Sequence, residues 1–235
     1  MTLRHLPAAP LRVAAFLVLA GALLSGPGAV LLVAVVAPQP PWTTLDAFLA
    51  SYHPVQAVPY ALGYILLSGL VLFSASCHAA APSRLRARTA ASLVFTSVYA
   101  SLVFVNYTIQ LGFVPRLREA RPAFLSQLTM ANPASFAWFL ETFGYAAMGV
   151  ATWLVAPAFG GGPRANAVRH LLVANGVLSI IGAACTAAFD RWVFSTAGLV
   201  SFAAWNVLVV GCFSLIAASP TGALASPPRD TARAA

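Results

Sequence analysis

Residues 135–159 read SFAWFLETFGYAAMGVATWLVAPAF, an apolar run that contains a single carboxylate, Glu141. A helix needs about 20 apolar residues to cross the hydrocarbon core of a bilayer, and this run is long enough. An ionisable group at that depth costs roughly 2.5–3.5 kcal/mol on insertion scales, so such a residue usually has a purpose. Glu141 is therefore the first candidate for a functional residue.

Five other apolar runs accompany this one in a chain of 235 residues, of which 60% are apolar and 8% are charged. The mean hydropathy is +0.84, and a surface facing water cannot be built from this composition. We therefore expect an all-α, polytopic transmembrane helix bundle that forms a single domain over residues 1–217. The six predicted spans are residues 13–36, 57–76, 89–113, 135–159, 169–189 and 192–217. Residues 218–235 are rich in Ala, Pro, Ser and Thr and are predicted to be a disordered cytoplasmic tail.

The basic residues are all arginines, and their distribution predicts the orientation. With both termini cytoplasmic, nine arginines lie inside and four outside, in agreement with the positive-inside bias. The net charge of +8 then reflects topology and attraction to anionic lipids, with no nucleic-acid partner. The first apolar run is about twice as long as that of a secretory signal, so an uncleaved first helix is expected.

Arg116, Arg118 and Arg121 oppose the charge bias, because they lie in a loop that is predicted to face outward. One interpretation is a longer loop, partly neutralised by Glu119, that is translocated despite its charge. The other is an arginine patch that binds an anionic headgroup or substrate. The sequence leaves both open.

The third and fourth spans each carry polar and aromatic side chains on one helical face. These are Tyr99, Asn106 and Gln110 on the third span, and Trp138, Glu141 and Tyr145 on the fourth. Asn106 lies seven residues before the predicted end of the third span, and Glu141 lies six residues after the start of the fourth. At about 1.5 Å per residue, both lie roughly 9–11 Å below the same surface. Adjacent antiparallel helices can therefore place Asn106 or Gln110 against Glu141.

These six residues are predicted to line a ligand-binding pocket, although the same groups could only hold helices together through interhelical hydrogen bonds. Asp190 follows the fifth span and is adjacent to Arg191. It is expected to be a solvated turn residue, or, if it tilts inward, a second acid facing Glu141.

Several kinds of chemistry are disfavoured by the composition. The chain has no lysine for a Schiff base, and Cys77, Cys185 and Cys212 form no C-x-x-C pair. His78 and His170 lie near predicted cytoplasmic helix ends, whereas haem ligands are expected within a bundle. Walker loops and hydrolase motifs are missing from the sequence. We expect no cofactor and no metal site.

Three stretches resemble a known group of proteins: NYTIQ (106–110), NPASFAWFLETFGYAAMG (132–149) and APAF (156–159). The pattern is similar to an uncharacterised family of bacterial six-helix integral membrane proteins, and it covers about a quarter of the chain. The resemblance implies this fold and a bacterial inner (plasma) membrane, without an activity. It also directs attention to Asn106, Tyr107, Gln110, Asn132, Glu141 and Tyr145.

Three classes of function remain open. The first is a membrane protein that binds or carries a small solute or lipid, in an outward-side pocket at Glu141. The second is a structural bundle that recruits partner proteins or forms homo-oligomers, in which amides satisfy Glu141 and no cavity is needed. The third is an intramembrane enzyme acting on an apolar lipid or isoprenoid, which needs Glu141 as general acid and a second convergent acid.

Overall fold

The computed structural model describes residues 8–117 and 119–219. Arg118 lies outside the described residues, as does the predicted tail except for residues 218 and 219. All regular elements of the described residues are helical. They are α1 (Ala8–Leu23), α2 (Ala29–Val36), α3 (Leu45–Ala50), α4 (Val58–Ala80), α5 (Arg86–Thr108), α6 (Val114–Leu117), α7 (Leu125–Leu128), α8 (Phe136–Val155), α9 (Pro163–Ala188) and α10 (Thr196–Ala217). Short 3-10 and π-helical turns join several of them.

Six helical segments of the described residues are long and apolar enough to cross a membrane. They are Ala9–Val36, Pro54–Ala80, Ser83–Leu117, Phe136–Ala158, Pro163–Ala188 and Thr196–Ala217, here called the first to sixth spans. The prediction of an all-helical chain with six candidate spans is confirmed. The third and fifth spans begin six residues earlier than predicted, because these helices start among arginines that an apolar run does not include.

The spans form a closed ring in chain order. The six long helices pack in the order α1, α4, α5, α8, α9 and α10, each against the next, and α10 packs back against α1. Phe73 lies in the core of this ring, where its side chain is fully buried. Its ring contacts Phe213 edge-on at 5.0 Å between centroids and stacks on Phe159 at 6.1 Å.

Glycines allow the closest approaches between the helices. A Cβ on Gly176 would lie 2.6 Å from the carbonyl oxygen of Gly149, so α8 and α9 are in backbone contact. A Cβ on Gly69 would likewise lie 2.7 Å from the backbone nitrogen of Val18, between α4 and α1. Apolar burial does not drive association within lipid, so packing of this kind supplies much of the stability.

Both ends of the described chain lie on one side of the bundle, here called the arginine-rich side. The Arg12 Nη2 atom donates to the Ser219 carbonyl at 3.3 Å, and Arg164 Nη1 donates to the Ala218 carbonyl at 3.2 Å. These bonds satisfy carbonyls beyond the end of α10, which lack partners within the helix. The assignment of this side to the cytoplasm stays a prediction.

The opposite side carries a cap, made of residues 37–53 and 114–135. The cap has an apolar cluster of its own, with Phe48, Leu49, Val114, Leu125 and Ala131 buried together. Helix α3 starts at an N-cap, because Thr44 Oγ1 accepts a hydrogen bond from the Ala47 amide at 3.2 Å. Because the buried cluster contains residues of both segments, the two halves of the cap are held together mainly by apolar contact.

An ion pair also joins the two halves of the cap. Arg121 Nη1 lies 3.2 Å from Asp46 Oδ1, but the two side chains are 56% and 74% exposed. Exposed pairs of this kind contribute little to stability. Arg121 thus has an acidic neighbour, and the side chain of Arg116 is exposed. An anion-binding site at these arginines stays a prediction.

The first span is broken near its middle. Residues Leu24–Gly28 form a π-helical turn that contains Pro27, and Gly26 has non-helical backbone angles. Before this turn α1 packs against both α4 and α10, whereas beyond it α2 makes only slight contact with α4 and with the turn Pro54–Ala57. The first span therefore packs closely against the bundle before the break and only loosely after it.

Candidate functional site

Two side chains of α5 hold the carboxylate of Glu141. The amide Nδ2 of Asn106 donates to Glu141 Oε2 at 2.9 Å, and the Tyr107 hydroxyl donates to Glu141 Oε1 at 2.9 Å. The contact of Asn106 with Glu141, expected from their equal depths, is present. Each carboxylate oxygen accepts one hydrogen bond from the described residues, so each retains acceptor capacity.

Gln110 links this network to the cap. It is buried in the π-helical turn Ile109–Phe113, a kind of irregularity that is frequent at functional sites. Its Nε2 atom donates to Asn106 Oδ1 at 3.2 Å and to the Leu128 carbonyl at 2.7 Å. Its Oε1 atom accepts from the Met130 amide at 3.1 Å. Gln110 therefore contacts Asn106 rather than Glu141 and fixes the cap above both.

We expect the substitution Gln110→Ala to loosen the cap over residues 128–130. The Met130 amide would lose its acceptor, so its hydrogen exchange should accelerate by about tenfold or more, equivalent to roughly 1.4 kcal/mol. Exchange mass spectrometry on peptides covering this segment measures the change. Gln127→Ala is the matched control, because Gln127 is exposed on α7 of the same cap. Equal Met130 exchange in the two variants would contradict this role.

Trp138 and Asn132 also organise the cap. The Trp138 Nε1 atom donates to the Met130 carbonyl at 2.9 Å, and its ring meets Phe194 edge-on at 5.5 Å. Asn132 Nδ2 donates to the Ser126 carbonyl at 2.9 Å, and its Oδ1 accepts from the Ala134 amide at 3.0 Å. Trp138 thus lies on the same helix as Glu141, but its indole nitrogen donates to the cap and not to the carboxylate.

Five of the six tyrosines form a connected group of rings next to Glu141: Tyr60, Tyr64, Tyr99, Tyr107 and Tyr145. The Tyr107 ring lies 5.8 Å from both Tyr60 and Tyr64, and Tyr145 meets Tyr99 edge-on at 5.2 Å. The hydroxyls of Tyr107 and Tyr145 are 3.5 Å apart. The tyrosine rings next to the carboxylate therefore come from three helices, α4, α5 and α8.

Sequence reasoning on helix faces missed Tyr60, Tyr64 and Tyr107, although the family resemblance included Tyr107. The absence of a Cβ at Gly63 gives the Tyr107 ring its place, because a side chain there would overlap it. A usable signal was present in the sequence: these tyrosines are concentrated in the second to fourth spans, close to the only carboxylate of the predicted spans.

Asp190 does not join this site. It is exposed in the turn after α9, and no hydrogen bond of the described residues connects it to Glu141. Within residues 8–117 and 119–219, no group of three His, Cys, Asp or Glu side chains is placed to hold a metal ion. The arrangement is an acceptor surrounded by phenol rings, which suits recognition of a hydrogen-bond donor.

Comparisons of the chain with protein families, with curated proteins and with solved structures found no match in any of the three.

Proposed function

We propose that this protein binds a small apolar or weakly polar molecule, a solute or a lipid, between its spans beneath the cap, with Glu141 as the polar anchor. One observation carries the proposal. Glu141 is half-buried, and each of its oxygens accepts a single hydrogen bond from the described residues. A group of this kind, preorganised by two donors on one helix, can accept a further bond from a ligand.

The surroundings favour a ligand with an apolar body and one donor group. Tyrosine rings offer flat apolar surface together with hydroxyls, which is the usual lining of sites for small molecules. An amine or hydroxyl group would satisfy the free acceptor positions of Glu141. Asn106, Gln110, Tyr99, Tyr145 and Trp138 would act as positioning and lining residues.

The weak packing of α2 supports entry of such a molecule from the bilayer. Beyond the break at Gly26 most side chains of α2 are exposed, and the first helical turns of α10 carry exposed apolar side chains, with Leu199 at 53% and Val200 at 62%. Displacement of α2 would let an apolar molecule pass between α2 and α10 without crossing water. Movement by this route would make the protein a carrier, whereas occupancy without movement would make it a binding protein.

A second candidate, a structural bundle that recruits partners, is favoured by a different observation. Asn106 and Tyr107 already hold Glu141, and Gln110 ties the same network to the cap. Such a network needs no ligand to be stable. An intramembrane enzyme has less support, because the second acid that it needs is not brought to Glu141.

Native mass spectrometry of protein extracted gently from its own membrane tests the proposal. We expect a discrete bound small molecule on the wild type that is lost in Glu141→Gln. Ser92→Ala is the control, because Ser92 Oγ donates to the Ala151 carbonyl at 3.0 Å and joins the same two helices away from the site. The control should keep the ligand. Ordinary phospholipid adducts, equal in all three proteins, would contradict ligand binding and favour the structural bundle.

A further inference from the structure

The centre of the helix ring contains a small cavity whose lining does not include Glu141. Side chains of α4, α8, α9 and α10 line it, and most of its wall is apolar, with Leu70, Met148 and Phe213 among the lining residues. Within it the centre of a water molecule has ≈ 10 Å³ to occupy. That is about the room that one water molecule needs.

Three polar atoms of lining residues have no hydrogen-bond partner among the described residues: Asn175 Oδ1, Ser179 Oγ and Trp205 Nε1. Asn175 and Ser179 are each 7% exposed and lie one turn apart on α9. An unpaired buried polar group is costly, so three of them around one cavity indicate a shared partner.

The hydroxyl of Ser179 makes no hydrogen bond to its own helix. Serine and threonine in helices often donate to the carbonyl one turn earlier. Thr186 on the same helix does this, with its Oγ1 atom 2.8 Å from the Gly182 carbonyl oxygen. Ser179 makes no such bond. Its hydroxyl is therefore available to a molecule in the cavity.

We propose that the centre of the ring is a binding site for one ordered water molecule, held by Asn175, Ser179 and Trp205. Water donates to the Asn175 carbonyl and accepts from the Trp205 indole, while the Ser179 hydroxyl can take either role. Three partners is the usual number for a buried water. The site does not depend on the function proposed for Glu141.

Tyr145 places this water site beside the Glu141 network. Tyr145 lines the cavity, and its ring meets Trp205 edge-on at 5.0 Å. Its hydroxyl is 3.5 Å from that of Tyr107, which donates to Glu141. The polar groups therefore extend from the cap side to the centre of the ring, and the water molecule is their innermost member.

Cross-relaxation between water and indole protons tests the site by NMR, on the full chain in lipid nanodiscs with ¹⁵N-labelled tryptophan. We expect a water cross-peak at the Trp205 N–H, assigned from the spectrum of Trp205→Phe. It should disappear in Ser179→Val, whose larger side chain fills the cavity. Trp153 is the internal control, because its Nε1 atom donates to the Val173 carbonyl at 2.7 Å. A Trp205 signal without a water cross-peak in the wild type would overturn the proposal.

Thermal unfolding gives a second readout that does not require a resolved Trp205 signal. If water is bound, Ser179→Ala removes one of its partners and lowers the Tm by about 2–4 °C. Ser97→Ala should change it little, because the Ser97 hydroxyl is exposed and bonds its own helix at 2.9 Å. If no water is bound, Ser179→Ala removes an unpaired hydroxyl. A Tm for Ser179→Ala that is unchanged or higher would then overturn the proposal.

Discussion

Gly176→Ala should destabilise the bundle severely. The new Cβ would lie 2.6 Å from the carbonyl oxygen of Gly149 and 2.6 Å from the ring of Trp153. The backbone oxygen cannot move without separating α8 from α9, and a shift of the ring would break the bond from Trp153 to the Val173 carbonyl. Overpacking of this kind costs roughly 1–3 kcal/mol. The Tm in detergent should fall by about 2–4 °C for each kcal/mol.

Gly182→Ala is the matched control and should have the opposite sign. Gly182 lies on the same helix, but a Cβ there would meet nothing within 4 Å. Alanine is a better helix former than glycine by about 0.5–1 kcal/mol, so the Tm should rise or stay unchanged. Equal effects of the two substitutions would show that α8 and α9 are not in backbone contact.

The second large effect is the coupling between Asn106 and Glu141. Asn106→Leu leaves Glu141 Oε2 without its donor, and Glu141→Leu leaves Asn106 Nδ2 without its carboxylate acceptor. The double variant should therefore be more stable than the sum of the two losses predicts. Hydrogen bonds between membrane helices have coupling energies of about 0.6–2 kcal/mol, and we expect this bond at 2.9 Å to lie within that range.

A double-mutant cycle on the free energy of unfolding measures this coupling. The cycle of Ser92→Ala with Glu141→Leu is the control, because Ser92 contacts Ala151 rather than Glu141. We expect additive effects in the control cycle. Additive effects in the Asn106–Glu141 cycle as well would mean that the two side chains do not interact in the membrane.

Much of the fold could be predicted, because crossing a membrane imposes a length and a composition that single runs of sequence display. The fourth span was predicted to within a residue at each end, since its polar flanks coincide with the helix ends. The break at Gly26 was not predicted, although it has a local cause, because Pro27 lies between two glycines and a proline inside a helix kinks it. The weak packing of α2 beyond the break could not be predicted, because apolar residues that face lipid and apolar residues that face a neighbouring helix look alike in the sequence.

The site was predictable where depth alone decides a contact. Asn106 and Glu141 were expected to meet because they lie equally far below one surface, and they are hydrogen-bonded. The position of Tyr107 was not accessible to face analysis, because it is the next residue after Asn106 and reaches Glu141 only through its long side chain. The bonds of Gln110 and Trp138 to Met130 depend on how the cap folds back, which residue spacing does not encode.

The cap connects these observations to the proposed function. Its apolar cluster and the bonds of Gln110 place a lid directly above Glu141. The hydroxyls of Tyr107 and Tyr145 extend from Glu141 toward the centre of the ring. A ligand anchored at Glu141 would therefore be covered on the cap side.

The central claim is that Glu141 is held by α5 and still accepts a bond from a ligand. An electron cryo-microscopy structure of the protein, extracted from its own membrane directly into nanodiscs, tests this claim most directly. The predicted result keeps both 2.9 Å contacts, from Asn106 and from Tyr107. It also shows additional density within hydrogen-bond distance of a Glu141 oxygen. A Glu141 side chain that is turned away from α5, or is fully enclosed by protein with no density beside it, would contradict the account.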